Sequence, residues 1–169
     1  MLKEQNRRKT LLFAVVAALV VAVDQLSKVW IRANSPDIEL LPGFLNLVYV
    51  ENYGSAFGLF RNQDFLLVLA AIASLSIILL FLHYLPFVTT PGVWSVGLIL
   101  GGAVGNLVDR LRFGHVTDFI DIQLWGNFHW PAFNLADSAI TIGIFALVCS
   151  LYRSGLLNKA YGHTGENRS

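Results

Sequence analysis

Apolar residues along this chain fall into four long stretches, at about 11–30, 65–85, 93–111 and 133–152, separated by segments of mixed character. The first contains thirteen unbroken apolar residues, Leu11 to Val23, before Asp24 interrupts it. A bilayer core is crossed by roughly 20 helical residues, and each stretch approaches that length once a few polar positions are tolerated. The pattern predicts four membrane-spanning helices packed as an all-α bundle. Between the first and second stretches, Phe44-Leu45-Asn46-Leu47-Val48-Tyr49-Val50-Glu51 follows the turn signal Pro42-Gly43 and is rich in β-branched and aromatic residues. A strand is expected there, in a small β-rich segment over about 31–64 lying on the membrane face. All 169 residues are read as one membrane domain, with a frayed C-terminal tail.

Composition sharpens the class. Hydrophobic residues make up 55% of the chain and charged residues 14%, against about 25% charged in an average soluble domain. A net charge of +1 and a single cysteine, Cys149, exclude a basic nucleic-acid-binding domain and a disulfide scaffold. Cys149, deep in the fourth stretch, reads as a small core residue. The basic N-terminus ahead of an apolar run resembles a secretory leader. No small-residue cleavage site follows, however, and Asp24 to Lys28 continues the helical pattern, so the run is expected to be retained.

Lys and Arg orient the bundle. Four (Lys3, Arg7, Arg8, Lys9) precede the first stretch and three (Arg153, Lys159, Arg168) follow the last, whereas two (Arg32, Arg61) lie after the first stretch and two (Arg110, Arg112) at the end of the third. The positive-inside rule then places both termini in the cytoplasm. With that orientation, Asp24, Gln25, Lys28, Glu51, Asn52, Asn106, Asp109, Arg110, Asp118, Asp121, Asn134 and Asp137 converge near the outer interface, beside the tryptophans Trp30, Trp125 and Trp130. Ionisable residues in spans cost roughly 2.5–3.5 kcal/mol each at mid-bilayer, so such a cluster points to function.

Ordinary structural roles account for several of these residues. Asp24 and Lys28, four apart, suit an intrahelical pair with the lysine reaching outward to water. Asn134 and Asp137 suit a helix N-cap with an acid in the first turn. Gly101-Gly102-Ala103-Val104-Gly105 suits close helix packing. Asp118, flanked by Val116, Phe119 and Ile120, has no such role. The four histidines lack metal-ligand spacing, and no metal or organic cofactor is expected. A Ser–Lys pair drawn from Ser55 or Ser138 with Lys28 is a minor alternative. Asp118 and Asp137 are 19 residues apart on a loop that leaves and re-enters one membrane face, so they can meet. Two close carboxylates in a low-dielectric site share a proton, and one can activate water while the other acts as acid. Rival readings, a proton-coupled transporter or a structural subunit, predict acids at the midplane or a dispensable Asp118.

The motifs Asp24-Gln25-Leu26-Ser27-Lys28, Glu51-Asn52-Tyr53-Gly54-Ser55-Ala56-Phe57, Gly101 to Arg110, Val116-Thr117-Asp118-Phe119 and Phe133-Asn134-Leu135-Ala136-Asp137-Ser138 together resemble lipoprotein signal peptidase, bacterial signal peptidase II. The resemblance implies an aspartyl endopeptidase of the bacterial cytoplasmic (inner) membrane. It implies cleavage of diacylglyceryl-prolipoproteins just before the lipidated cysteine. It further implies Asp118 and Asp137 as the catalytic dyad and Asn52, Gly54, Asn106, Arg110 and Asn134 as substrate-binding residues. Asp24, Lys28 and Asp109 are implied as structural support of the site. Membrane lipid is the surrounding partner, no nucleic acid is involved, and a monomer is expected.

Overall fold

Three helices and four strands alternate along the chain in the computed structural model, which describes residues 2–54 and 90–153. Helix α1 is Leu2–Asn34, followed by strands β1 (Ile38–Leu41) and β2 (Leu45–Asn52). Helix α2 (Thr90–Phe113), strands β3 (Val116–Trp125) and β4 (Phe128–Phe133) and helix α3 (Leu135–Arg153) complete the order. The expected span at 65–85 lies outside the described residues.

Each described helix is long and apolar enough to cross a membrane. Apolar side chains on α1 (Leu11, Val15, Leu19) and α3 (Ile142, Phe145, Val148) point outward, as in a protein whose helices are solvated by lipid tails. Cys149 is exposed on α3, which corrects its reading as a core residue. On a helix embedded in lipid the apolar surround is the bilayer, so a small apolar side chain need not face protein.

Helix α2 is central among the described elements, because small residues let the other two described helices approach it. A methyl group at Gly97 or Gly101 would press on Val16 and Val20 of α1. One at Gly102 would collide with the carbonyl oxygen of Ala136 in α3. Gly102→Val is therefore expected to force α2 and α3 apart, at about 1–3 kcal/mol by the usual cost of overpacking. The check is a lowered thermal midpoint of the purified protein in detergent.

The expectation of an all-α bundle is overturned: the described residues form a mixed α and β fold. A four-stranded antiparallel sheet runs in the order β1-β2-β3-β4. The expected strand near 44–51 is present as β2, but β3 and β4 were not foreseen. In β3 the acids Asp118 and Asp121 break the apolar alternation that normally marks a strand. The strand is specified instead by partners distant in the chain, with Leu45 opposite Ile122 and Val50 opposite Asp118 in β2. A register irregularity between Leu47 and Val50 precedes Asp118's partner, and such bulges re-aim side chains.

The sheet is tied to the helices where the chain passes from α2 into β3. Gly114 (φ 75°) follows the end of α2, donating its N–H to the Arg110 carbonyl at 3.0 Å. This left-handed glycine cap satisfies a terminal carbonyl and turns the chain. It delivers Val116 to Phe119 as a buried strand start against α1.

Candidate active site

The last turns of α1 carry Asp24, Lys28 and Arg32 at steps of four, one above another on a single helix face. Asp24 and Lys28 are both fully buried and paired at 2.9 Å. The expected pair is present, but the lysine does not reach outward to water. Its ammonium turns inward, 3.6 Å from Asp109 and donating to Asn106 Oδ1 at 2.8 Å. Three nearby acceptors replace hydration more completely than a partly lipid-shielded surface could.

Asp109, near the end of α2, is the second fixed point. It accepts the Thr117 backbone N–H at 2.9 Å and lies 3.4 Å from Arg32 Nη1. Arg32 also donates to the Thr117 hydroxyl at 2.8 Å and lies over the Phe113 ring. Gln25 donates to Asp24, Asp109 and the Gly105 carbonyl. Asp24 Oδ1 accepts the backbone N–H of Ala136 at 3.0 Å, so a carboxylate on α1 caps an orphan donor in the first turn of α3. Gln25 was placed at the outer interface from sequence but given no role, and Arg32 and Thr117 were not singled out. For Arg32 a signal existed in its four-residue step from Lys28; for Thr117, whose contribution is mostly backbone, none did.

Asn134 opens α3. Its side-chain oxygen accepts the Asp137 N–H at 2.9 Å, while Asp137 Oδ2 accepts the Asn134 N–H at 3.2 Å. This reciprocal capping box satisfies two donors at once. The Asn134 amide nitrogen donates to Asp118 Oδ1 at 2.7 Å and to Asn106 Oδ1 at 3.1 Å. Asn106 in turn donates to Asp137 Oδ1 at 2.8 Å. Asp118 and Asp137 are thus joined through Asn134 alone, and again through Asn134 and Asn106.

Strand β2 closes the other side. Asn52 donates to Asp118 Oδ2 at 2.7 Å, and its own side-chain oxygen accepts the Gly54 N–H at 2.9 Å. Gly54 has φ 93°, a conformation a larger residue would adopt only under strain. Arg110, half-buried, lies within electrostatic reach of both Asp118 and Asp137. Glu51 takes no part in this cluster; its carboxylate is clamped by the Tyr49 and Tyr53 hydroxyls at 2.8 and 2.7 Å. Ser138 donates to the Asn134 carbonyl rather than meeting Lys28, and Ser55 lies outside the described residues. His115 is buried beside Tyr53, and neither ring nitrogen has a hydrogen-bond partner among the described residues. Among those residues no group of three or more His, Cys, Asp or Glu side chains could hold a metal ion.

Burial pushes the Asp118 carboxyl up from 3.8 to about 6, with the charge of Asp137 adding to the rise and the Asn52 and Asn134 hydrogen bonds opposing it. A carboxyl raised on folding stabilises the fold fully below its unfolded value and loses that contribution as pH rises through its folded value. Wild type is expected to lose on the order of 3 kcal/mol relative to Asp118→Asn between about pH 4 and pH 6. Thermal midpoints of both proteins across that range, in detergent, provide the check.

A sequence model of the family described as signal peptidase (SPase) II matches residues 16–153. The chain is 41% identical to the lipoprotein signal peptidase of Syntrophotalea carbinolica over 153 residues, covering 86% of this chain and 94% of that protein. It is 44% identical to the lipoprotein signal peptidase of Dehalococcoides mccartyi over 165 residues, covering 94% and 96%. A solved bacterial membrane enzyme superimposes with a TM-score of 0.69 at 32% identity, covering 87% of this chain and 90% of that one. This chain belongs to the signal peptidase II family of membrane proteases.

Proposed function

We propose that the protein is an aspartic endopeptidase that removes the signal peptide from diacylglyceryl-modified prolipoproteins, cutting just before the lipidated cysteine. The relatives named lipoprotein signal peptidase support the substrate class. The observation that carries the mechanism is the direct tie of Asp118 and Asp137 through Asn134.

Asp137 sits in the first turn of α3, where amide donors and the positive end of the helix favour a carboxylate. Asp118 is the more buried partner and holds the proton. Asp137 takes a proton from water as its oxygen attacks the scissile carbonyl. Asp118 donates its proton to the carbonyl oxygen; as the tetrahedral species collapses, Asp137 passes the proton it took from water to the leaving amine and Asp118 recovers one from the hydroxyl of the tetrahedral species. Asn52, Asn106, Arg110 and Asn134 hold the carboxylates and face the peptide, and Gly54 fixes the Asn52 amide. Asp24, Lys28 and Asp109 hold the helix ends together.

The enzyme is placed in the bacterial cytoplasmic membrane as one domain, acting as a monomer. The Lys and Arg distribution supports cytoplasmic termini, and exposed Trp30, Trp125 and Trp130 support a site at the outer interface. Acyl chains of the substrate then remain in lipid while the scissile bond meets water. Mass spectrometry of the product formed by purified protein is expected to find the diacylglyceryl cysteine as its first residue. A product beginning at any other residue would contradict the cleavage position.

A further inference from the structure

Lys28 carries three donors and no acceptor, and one of its contacts is the side-chain oxygen of Asn106. That contact leaves the Asn106 amide no choice of orientation. Its oxygen must face the ammonium, where it also accepts from Asn134, and its NH₂ must face Asp137. The ammonium is fully buried and held by Asp24 and Asp109, with Arg32 against Asp109. It is therefore a fixed cation rather than a mobile surface charge. Resting on the aspartic mechanism proposed above, we propose that Lys28 is a positioning residue that acts through Asn106: it locks a donor onto Asp137 and so selects Asp137 as the ionised member of the pair.

The charged groups around this relay are Asp24 and Arg32 on α1, Asp109 and Arg110 on α2, Asp118 on β3 and Asp137 on α3. Asp24 and Lys28 form a neutral pair, so Asp24→Asn with Lys28→Met removes both charges together and retains an acceptor for the Ala136 N–H. The test is the pH dependence of kcat/KM on a lipidated precursor. The paired variant is expected to move the acid limb upward by about one pH unit, within the range for loss of a favourable partner. Its kcat should fall about tenfold with KM nearly unchanged. Asn106→Leu is expected to move the limb comparably, and combining it with the paired variant should move it no further, because both changes cut one path.

Additive shifts would show that Lys28 acts directly through space, and an unmoved limb with reduced kcat would show a merely structural role; either result overturns the relay. Should the paired variant not fold, asparagine-selective ¹⁵N labelling of the wild type supplies the decision, with the Asn106 resonance identified by its loss in Asn106→Leu. The side-chain NH₂ signal should titrate together with the acid limb and stop titrating in Asp137→Asn. An Asn106 signal insensitive to that substitution overturns the relay. Cleavage that survives in Asp118→Asn or Asp137→Asn would instead defeat the aspartic mechanism itself.

Discussion

Asp118→Asn is expected to lower kcat/KM by roughly a thousandfold or more, within the range for loss of a general acid acting in concert with a base. Asparagine matches aspartate in size and keeps an oxygen to accept from Asn52 or Asn134, so packing at the start of β3 should survive. What disappears is the transferable proton. Burial and the neighbouring Asp137 hold that proton on Asp118 to about pH 6, and an amide cannot replace it. The measurement is a cleavage time course on lipidated precursor, with thermal midpoints confirming that both proteins are folded. A variant that retains a tenth of wild-type activity would exclude Asp118 as the acid.

The second large effect is expected at a residue that touches no peptide. Asp24→Ala removes the counter-charge of a fully buried lysine and the acceptor of the Ala136 N–H. Breaking a buried ion pair by deleting one partner costs about 3–5 kcal/mol, and the lost helix cap adds about 1 kcal/mol. The lost cap falls on the first turn of α3, which carries Asp137, and the uncompensated ammonium lies against Asn106, which donates to Asp137, so stability and activity should decline together. Asp24→Asn, which keeps an acceptor for Ala136, should be the milder change. Denaturation in detergent beside the cleavage assay separates the two variants; equal midpoints for Asp24→Ala and wild type would contradict the capping role.

The candidate cluster was more legible in the sequence than the fold around it, for a physical reason. Acids and amides at the ends of apolar stretches stand out because lipid tolerates so few of them, and the Asn134–Asp137 cap is a local motif with fixed spacing. Strand β3 depends on pairing with β2 across 64 to 77 positions, such as Leu45 with Ile122, which no local pattern records; β4 pairs with β3 only 3 to 13 positions away, around Gly126, and its mixed run Phe128-His129-Trp130-Pro131-Ala132-Phe133 gives a weak strand pattern on its own. Lys28 shows the limit within the site itself. Its spacing from Asp24 identified the pair, but the direction of its ammonium was set by Asn106 and Asp109, 78 and 81 positions further on. The role of Thr117 was hidden because its backbone N–H and carbonyl, rather than its side chain alone, join Asp109 and Asn134.

The central claim is that two carboxylates, joined through Asn134, together perform the hydrolysis. Its most direct test follows release of the signal peptide from a diacylglyceryl-modified prolipoprotein by equal amounts of folded wild type, Asp118→Asn and Asp137→Asn. Release by wild type alone is the predicted result, with both variants silent over many wild-type turnovers. Release by either variant at a rate near that of wild type would contradict the dyad.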